Sequence, residues 1–453
     1  DAAAGTAAVD AYNADHGADY FRPLFNQELG EIGHAFKNES WNTYEKTAPL
    51  NFSQSLSIGN QVQLFKRPLG FIVGLRYSRD TKYDENSVAK RTNSTPEGDP
   101  IADVFNYRQQ VSSEQAGWSA LANVSYKLND NHRISLLFMP NVQGQNDARN
   151  FRGSEANQSV TEVLNGVDQT YEEKQQLIYQ FQSAHYLPKS KLKIDLNASY
   201  TDGQMNILDY KTVTWFEDTV VGYAQFNSNA ELPRRFRYMN EDLFDGRLGF
   251  EFPLMDVKGR PRKLMFGGAY RWNQRENVQV QYNVRGVAGT ELIGTLDEYL
   301  ADEHFEVASG NGFYYANNSS ELDSDIGISK VTAGYLMSDY SINERLRVVG
   351  GARVEHTDLL SDIRVYYDLG LPADAEERRS IGGRKANPGD IEQLDVLPSI
   401  NLIYKVKDDS LALMNLRANY FRSLGRPSFR EISSVDLDDF ILRGRVRGNP
   451  TLE

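Results

Sequence analysis

The segment Trp118-Ser119-Ala120-Leu121-Ala122-Asn123-Val124-Ser125-Tyr126-Lys127 decides the fold class. Its even-numbered positions carry Trp, Ala, Ala, Val and Tyr, whereas its odd-numbered positions carry Ser, Leu, Asn, Ser and Lys. Because successive side chains of a β-strand point to opposite faces, this alternation predicts a strand with one apolar and one largely polar face. At about 3.3 Å per residue, Trp118 and Tyr126 lie roughly 26 Å apart along the apolar face.

The same alternation recurs along the chain and predicts twelve strands in six hairpins with tight connections. The predicted hairpins are 51–65 with 69–85, 116–128 with 133–147, 171–187 with 192–207, 235–254 with 262–283, 328–342 with 346–366, and 391–406 with 411–422. Longer connections separate them, at roughly 86–115, 148–170, 208–234, 284–327 and 367–390. Short turns therefore alternate with long loops.

Strand length separates the candidate all-β architectures. Soluble sandwiches and propellers use strands of about 5–6 residues, and many of the predicted strands run past twelve. Long strands with an apolar outer face about 25 Å tall, short periplasmic turns and long extracellular loops are typical of outer-membrane barrels. The sequence thus predicts an all-β, transmembrane, antiparallel β-barrel in a Gram-negative outer membrane, in contact with its lipid and lipopolysaccharide.

Composition excludes several other classes. Hydrophobic residues make up 40% and charged residues 25% of the 453 residues, and no apolar run is long enough for a transmembrane helix. The net charge of −13 disfavours a nucleic-acid partner. With no cysteine, disulfides, thiol catalysis and thiolate metal sites are excluded. No catalytic motif, metal-ligand spacing or cofactor motif is visible, so we expect no enzyme activity and no cofactor.

Charged and amide side chains on the predicted polar faces are the candidate site residues. They are Arg76, Arg271, Arg353, Glu355, Arg417 and Asn419. A large barrel keeps a wet lumen, so these residues either line a substrate path, contact a plug inside the barrel, or form a mutually neutralising ladder of charges.

The connection 284–327 is the most acidic, with nine carboxylates against Arg285 alone. Thr295 followed by Glu298 fits a capping box and predicts a short helix beginning there. The loop is either an extracellular lid that recognises a cationic ligand, a divalent ion or a partner lipoprotein, or a solvated segment that maintains solubility and repels wrong partners.

Specific segments resemble the TonB-dependent outer-membrane receptors. The late ones are Leu397-Pro398-Ser399-Ile400-Asn401-Leu402-Ile403-Tyr404, Asn415-Leu416-Arg417-Ala418-Asn419-Tyr420-Phe421-Arg422, Arg426-Pro427-Ser428-Phe429-Arg430-Glu431 and Gly448-Asn449-Pro450-Thr451-Leu452. An earlier stretch also resembles a hairpin near the start of the barrel in the same family. It runs from Ala48-Pro49-Leu50-Asn51 through Ser57-Ile58-Gly59-Asn60 to Arg67-Pro68-Leu69-Gly70-Phe71. Among these receptors, the segments are most similar to the large ones of Bacteroidetes-type bacteria.

The resemblance implies a barrel of about 22 strands around a plug. It also implies import of a scarce nutrient (a metal chelate, peptide or oligosaccharide) driven by TonB, with a surface lipoprotein or other outer-membrane subunits as further partners. Neither a plug nor a TonB-box segment is recognisable here, so TonB would act through a plug outside this sequence. We expect residues 1–50 to lead irregularly into the barrel, 51–422 to form its hairpins, and 423–453 to be an extracellular loop or the start of a further strand.

We therefore expect the chain to be the barrel portion of a longer TonB-dependent receptor. Two alternatives remain: a receptor-derived structural subunit of a larger outer-membrane complex, or a passive twelve-stranded pore. They differ in whether uptake requires TonB and whether other subunits co-purify.

Overall fold

The computed structural model describes Gly33, Phe36 and residues 41–93, 102–156, 159–226, 232–254, 262–286, 290–305, 312–378, 386–408, 413–435, 437–439 and 444–452. Within these residues the long strands are β1 (Phe52–Leu64), β2 (Arg67–Asn93), β3 (Ala102–Asn129), β4 (His132–Glu155), β5 (Glu162–Leu187), β6 (Leu192–Asp218), β8 (Leu232–Pro253), β9 (Arg262–Arg285), β11 (Asp325–Ser341), β12 (Leu346–Ile363), β13 (Gly389–Asp408) and β14 (Leu413–Phe421).

Short strands and helices lie in the connections between the long strands and after β14. They are β7 (Tyr223–Gln225), β10 (Tyr314–Asn317), β15 (Leu437–Asp439), β16 (Gly444–Val446), α1 (Leu296–Tyr299), α2 (Arg364–Asp368), α3 (Phe429–Ile432), and 3-10 helices at Asp302–His304, Glu321–Asp323 and Glu376–Arg378. No helix in the described part of the chain is long and apolar enough to span a bilayer.

Every pairing in the main sheet is antiparallel, and the long strands follow one another in chain order from β1 to β14. β7 adds to β6 and β10 adds to β9, which gives 14 strands in the described residues. The six predicted hairpins are all present. Their tight connections lie at one end of the sheet, which we name the turn end; the opposite end is the loop end.

The predicted strand boundaries are accurate to within about two residues at the turn end. At the loop end most predicted strands are too short, whereas β12 was predicted too long, because it ends at Ile363 and not at 366. β5 ends at Leu187 and β6 begins at Leu192, as predicted. At the other end, β6 continues to Asp218 and β3 begins at Ala102, well inside segments that were predicted to be loops. These extensions are polar, but backbone pairing does not require apolar side chains, so the ladders continue without the hydrophobic signal on which the prediction rested.

The two faces of the sheet differ in the way that the alternation predicts. On the apolar face, neighbouring strands place Phe138 opposite Tyr179, Tyr179 opposite Tyr200, Tyr200 opposite Phe244, and Phe244 opposite Trp272. The ring centroids of Phe138 and Tyr179 lie 4.9 Å apart. Four of these five rings are exposed, and such a row of aromatic side chains is typical of a membrane–water interface. The sheet is the wall of an all-β barrel.

Above this row, toward the loop end, buried residues form a core on the same face. Its members are Trp41, Val167, Val213, Phe226, Leu232, Val284, Leu296, Leu300, Phe305, Phe313 and Tyr315. The predicted capping box is confirmed, because the Thr295 hydroxyl accepts from the Glu298 amide while Glu298 accepts from the Thr295 amide. Leu296 and Leu300 therefore present one side of α1 to the core.

The carboxylate of Asp297 attaches the segment before β1 to the acidic connection. Its Oδ1 accepts from the backbone amides of Trp41 at 2.5 Å and Asn42 at 2.9 Å. The Tyr44 hydroxyl donates to Oδ2. At least this carboxylate of the acidic connection is thus engaged within the chain.

Asp297→Ala is expected to release this segment. Hydrogen bonds to a charged group contribute about 1.5–3 kcal/mol each, so amide exchange at Trp41 and Asn42 should accelerate by tenfold or more. Glu303→Ala is the matched control, because that carboxylate lies on the same connection with a side chain 81% exposed. Equal exchange in both variants would contradict the role given to Asp297.

Candidate functional site

Strand register places all six candidate residues on one face, which we name the polar face. Arg271 on β9 is opposite Val331, which is opposite Thr357 on β12. Arg353 and Glu355 share the parity of Thr357 along β12. The same face continues across β13 to β14 at the sheet edge. The residues opposite each other in the register are Val349 and Asn401, Asn401 and Asn419, Arg347 and Ile403, and Ile403 and Arg417. Following the register through β8, β6, β5, β4 and β3 brings Arg76 of β2 to the same side.

The structure brings only two of the six together. Arg353 donates to Glu355 across one pleat of β12. Arg76 donates from Nε to the Ser53 hydroxyl at 3.0 Å, and Arg271 donates from Nε to Asp245 at 3.1 Å. These residues therefore form a spaced row of polar groups and not one compact pocket.

Arg417 and Asn419 lie at the edge of the sheet on β14. Both are exposed, and Asn419 is opposite Asn401. They extend the polar face to its last described strand without joining the Arg353–Glu355 pair.

The segment after β14 crosses the polar face and reaches the candidate residues. Arg426 donates from Nη2 to Glu355 and from Nε to the Thr357 hydroxyl at 2.9 Å. Glu355 is thereby held between two arginines and is only 8% exposed. Residue 426 lies far from residue 355 in sequence, and nothing in the local pattern marks this contact.

The helix α3 packs this segment against the sheet. Ser428 and Glu431 form a capping box that begins it. Phe429 and Ile432 are buried with Leu359, and Phe429 lies against Gly327, where any side chain would collide with its ring. The guanidinium of Arg275 lies 5.0 Å from the centre of the same ring, a cation–π arrangement.

A cavity of about 200 Å³ lies between the sheet and this segment. The strands contribute Arg237, Arg275 and Asp325, and the segment contributes Arg430, Ser433 and Val435. Nothing in the local sequence pattern predicts this cavity. The Ser-x-x-Glu spacing at 428–431 was the one local signal for α3, but it does not show where the helix docks.

The described residues contain no group of three or more His, Asp and Glu placed to hold a metal ion.

These features define a class of protein, a membrane-barrel wall with an apolar outer face and a polar inner face partly covered at the loop end. The chain belongs to a family of that class: the family model described as TonB dependent receptor-like, beta-barrel, matches residues 136–453. This is a receptor and transporter family and not an enzyme family.

Among solved structures, the chain is similar to the siderophore receptor PiuA from Acinetobacter baumannii. The similarity has 9% sequence identity and a TM-score of 0.38, and it covers 80% of this chain and 48% of the PiuA chain. The chain thus spans about half the length of that receptor. No curated protein matches the sequence.

Proposed function

We propose that this chain is the barrel portion of a TonB-dependent receptor that imports a scarce nutrient across the outer membrane of a Gram-negative bacterium. The observation that carries the proposal is that the described residues of the segment 422–452 cover the polar face at its loop end. Family membership supports the barrel role, and the cavity beneath α3 supports a ligand site on the side where a lumen would lie.

In this proposal the polar row of Arg76, Arg271, Arg353, Glu355, Arg417 and Asn419 lines the path below the cavity or contacts the plug. TonB acts through a plug contributed by another part of the receptor, and further strands pair with the sheet edges β1 and β14. Outer-membrane lipid and lipopolysaccharide surround the apolar face. A surface lipoprotein binds at the loop end in the same proposal, and its co-purification with the receptor tests this.

The decisive experiment compares depletion of nutrients from the medium by wild-type cells, cells lacking this receptor, and cells lacking TonB. We expect a subset of peptides, oligosaccharides or metal chelates to remain in the medium in both mutants. Mass spectrometry of spent medium identifies them.

Two other results would replace the proposal. Depletion that requires the receptor but not TonB would identify a passive pore. No difference in nutrient depletion between wild-type and receptor-deficient cells, together with stable co-purification of other outer-membrane subunits with this chain, would identify a structural subunit.

A further inference from the structure

We propose that the cavity beneath α3 binds a small anion that carries at least two carboxylate or phosphate groups. The inference rests on the proposed function and deepens it, because it assigns the imported ligand a chemical class. It is specific to this chain's Arg237, Arg275 and Arg430, which surround the cavity from two strands and the covering segment.

The first observation is that these arginines lack carboxylate partners. Elsewhere on the same sheet, Arg149 pairs with Asp168, Arg271 pairs with Asp245 and Arg353 pairs with Glu355. Within the described residues, none of the three cavity arginines forms a salt bridge. Arg237 instead donates from Nη2 to the neutral amide oxygen of Gln279 at 2.6 Å.

The second observation is that like charges converge here. Burial lowers the pKa of Arg237, and the nearby charges of Arg430 and Arg235 lower it further. Asp323 and Asp325 act in the opposite direction. Among the described residues that line the cavity, three guanidinium groups accompany one carboxylate, that of Asp325, and the excess positive charge favours an anion there.

The lining also suits a bound molecule. Asp325 is only 7% exposed, and burial raises the pKa of its carboxyl group, against the lowering by Asn277 and Arg275. Met205 and Met239 supply an apolar wall, and methionine adapts to irregular ligand shapes.

The chemistry of the guanidinium group identifies the ligand class. Its planar fork of donors matches carboxylate and phosphate oxygens bidentately. A cavity of about 200 Å³ has room for a compact polyanion and not for an extended oligosaccharide. Carboxylate and phosphate share this recognition chemistry, so the two sources are separated by experiment.

The test uses the receptor purified from outer membranes in mild detergent and titrated calorimetrically with citrate, with pyrophosphate and with uncharged maltotriose. We expect citrate or pyrophosphate to bind, and maltotriose not to bind. Arg430→Gln should weaken anion binding at least about tenfold, because each charge-assisted hydrogen bond is strong. Arg430→Lys keeps the positive charge but not the planar fork of donors, so its affinity for the anion should lie between those of the wild type and Arg430→Gln.

Arg430 is exposed, so its replacement should leave α3 in place, and amide exchange at 428–435 verifies this. Arg152→Gln is the control, because it removes an equal charge that pairs with Glu217 on the opposite face. Binding of citrate alone assigns a carboxylate ligand, and binding of pyrophosphate alone assigns a phosphate. Absence of anion binding, or equal weakening by Arg430→Gln and Arg152→Gln, would overturn the inference.

This outcome is separable from that of the proposed function. TonB-dependent depletion of an uncharged nutrient would retain the transporter and reject the anion site. Anion binding without TonB-dependent uptake would retain the site and reject the transporter.

Discussion

Replacing Arg378 with alanine is expected to unfold the connection between β12 and β13 locally while leaving the barrel wall intact. Arg378 is 2% exposed and Asp362 is 4% exposed. They form two parallel hydrogen bonds, from Nη1 to Oδ1 at 2.7 Å and from Nη2 to Oδ2 at 2.8 Å. Arg378 also donates from Nε to the carbonyl of Pro372 at 2.8 Å, so one side chain ties the connection to the strand.

The expected magnitude follows from what the substitution leaves behind. Removing one partner of a buried ion pair leaves an uncompensated charge, and such changes cost about 3–5 kcal/mol. The free energy of local opening, measured by amide exchange across residues 364–378, should fall by about that amount. Limited proteolysis should cut first in this connection.

Two further variants make this expectation specific. Arg364 also pairs with carboxylates, Glu276 and Asp368, but its side chain is 34% exposed. Arg364→Ala should therefore cost less than about 1 kcal/mol. The double variant Arg378→Met with Asp362→Leu should recover most of the stability, since apolar residues of similar size often replace a buried pair without loss. Equal effects of Arg378→Ala and Arg364→Ala would show that burial is not decisive here.

Features of the fold that depend only on neighbours in sequence could be predicted from the sequence. Local alternation predicted that Arg271 and Arg353 share a face, because strand parity is fixed by the backbone. Turn positions such as 188–191 were predictable from their Pro-Lys-Ser-Lys composition and the register that such a tight connection imposes. Both properties depend on neighbours in sequence.

The contacts that build the candidate cavity depend on residues far apart in the chain. Arg430 meets Arg237 only because α3 docks on the polar face, nearly two hundred residues later in the chain. Arginines lie on the polar side of several predicted strands, and Arg271 and Arg275 even share one strand, so no local feature separated Arg275, which forms no salt bridge among the described residues, from the paired Arg271. Whether an arginine forms an ion pair depends on the tertiary fold, and arginines without carboxylate partners among the described residues distinguish this cavity.

Gly327→Val is expected to displace α3 and open the cavity. A Cβ atom at this position would lie 2.5 Å from Cγ and Cδ1 of Phe429, far inside van der Waals contact. Valine suits a strand, so β11 itself should tolerate the change. The Phe429 ring must therefore move away from Arg275 and lose its burial. Burial of a phenylalanine side chain contributes about 3–5 kcal/mol to stability.

Amide exchange at 428–435 should rise, and calorimetric binding of citrate or pyrophosphate, where the wild type shows it, should disappear because Arg430 and Ser433 move with α3. Gly334→Val is the control on the same strand, since the nearest atom to its Cβ is the Gly267 carbonyl oxygen at 3.9 Å. Normal protection of α3 in Gly327→Val would contradict the docking. The cycle with Phe429→Ala gives the sharpest form of the test. If the collision with Phe429 is the cause, adding Gly327→Val to Phe429→Ala should cost far less than it costs in the wild type, because the two changes remove the same contact.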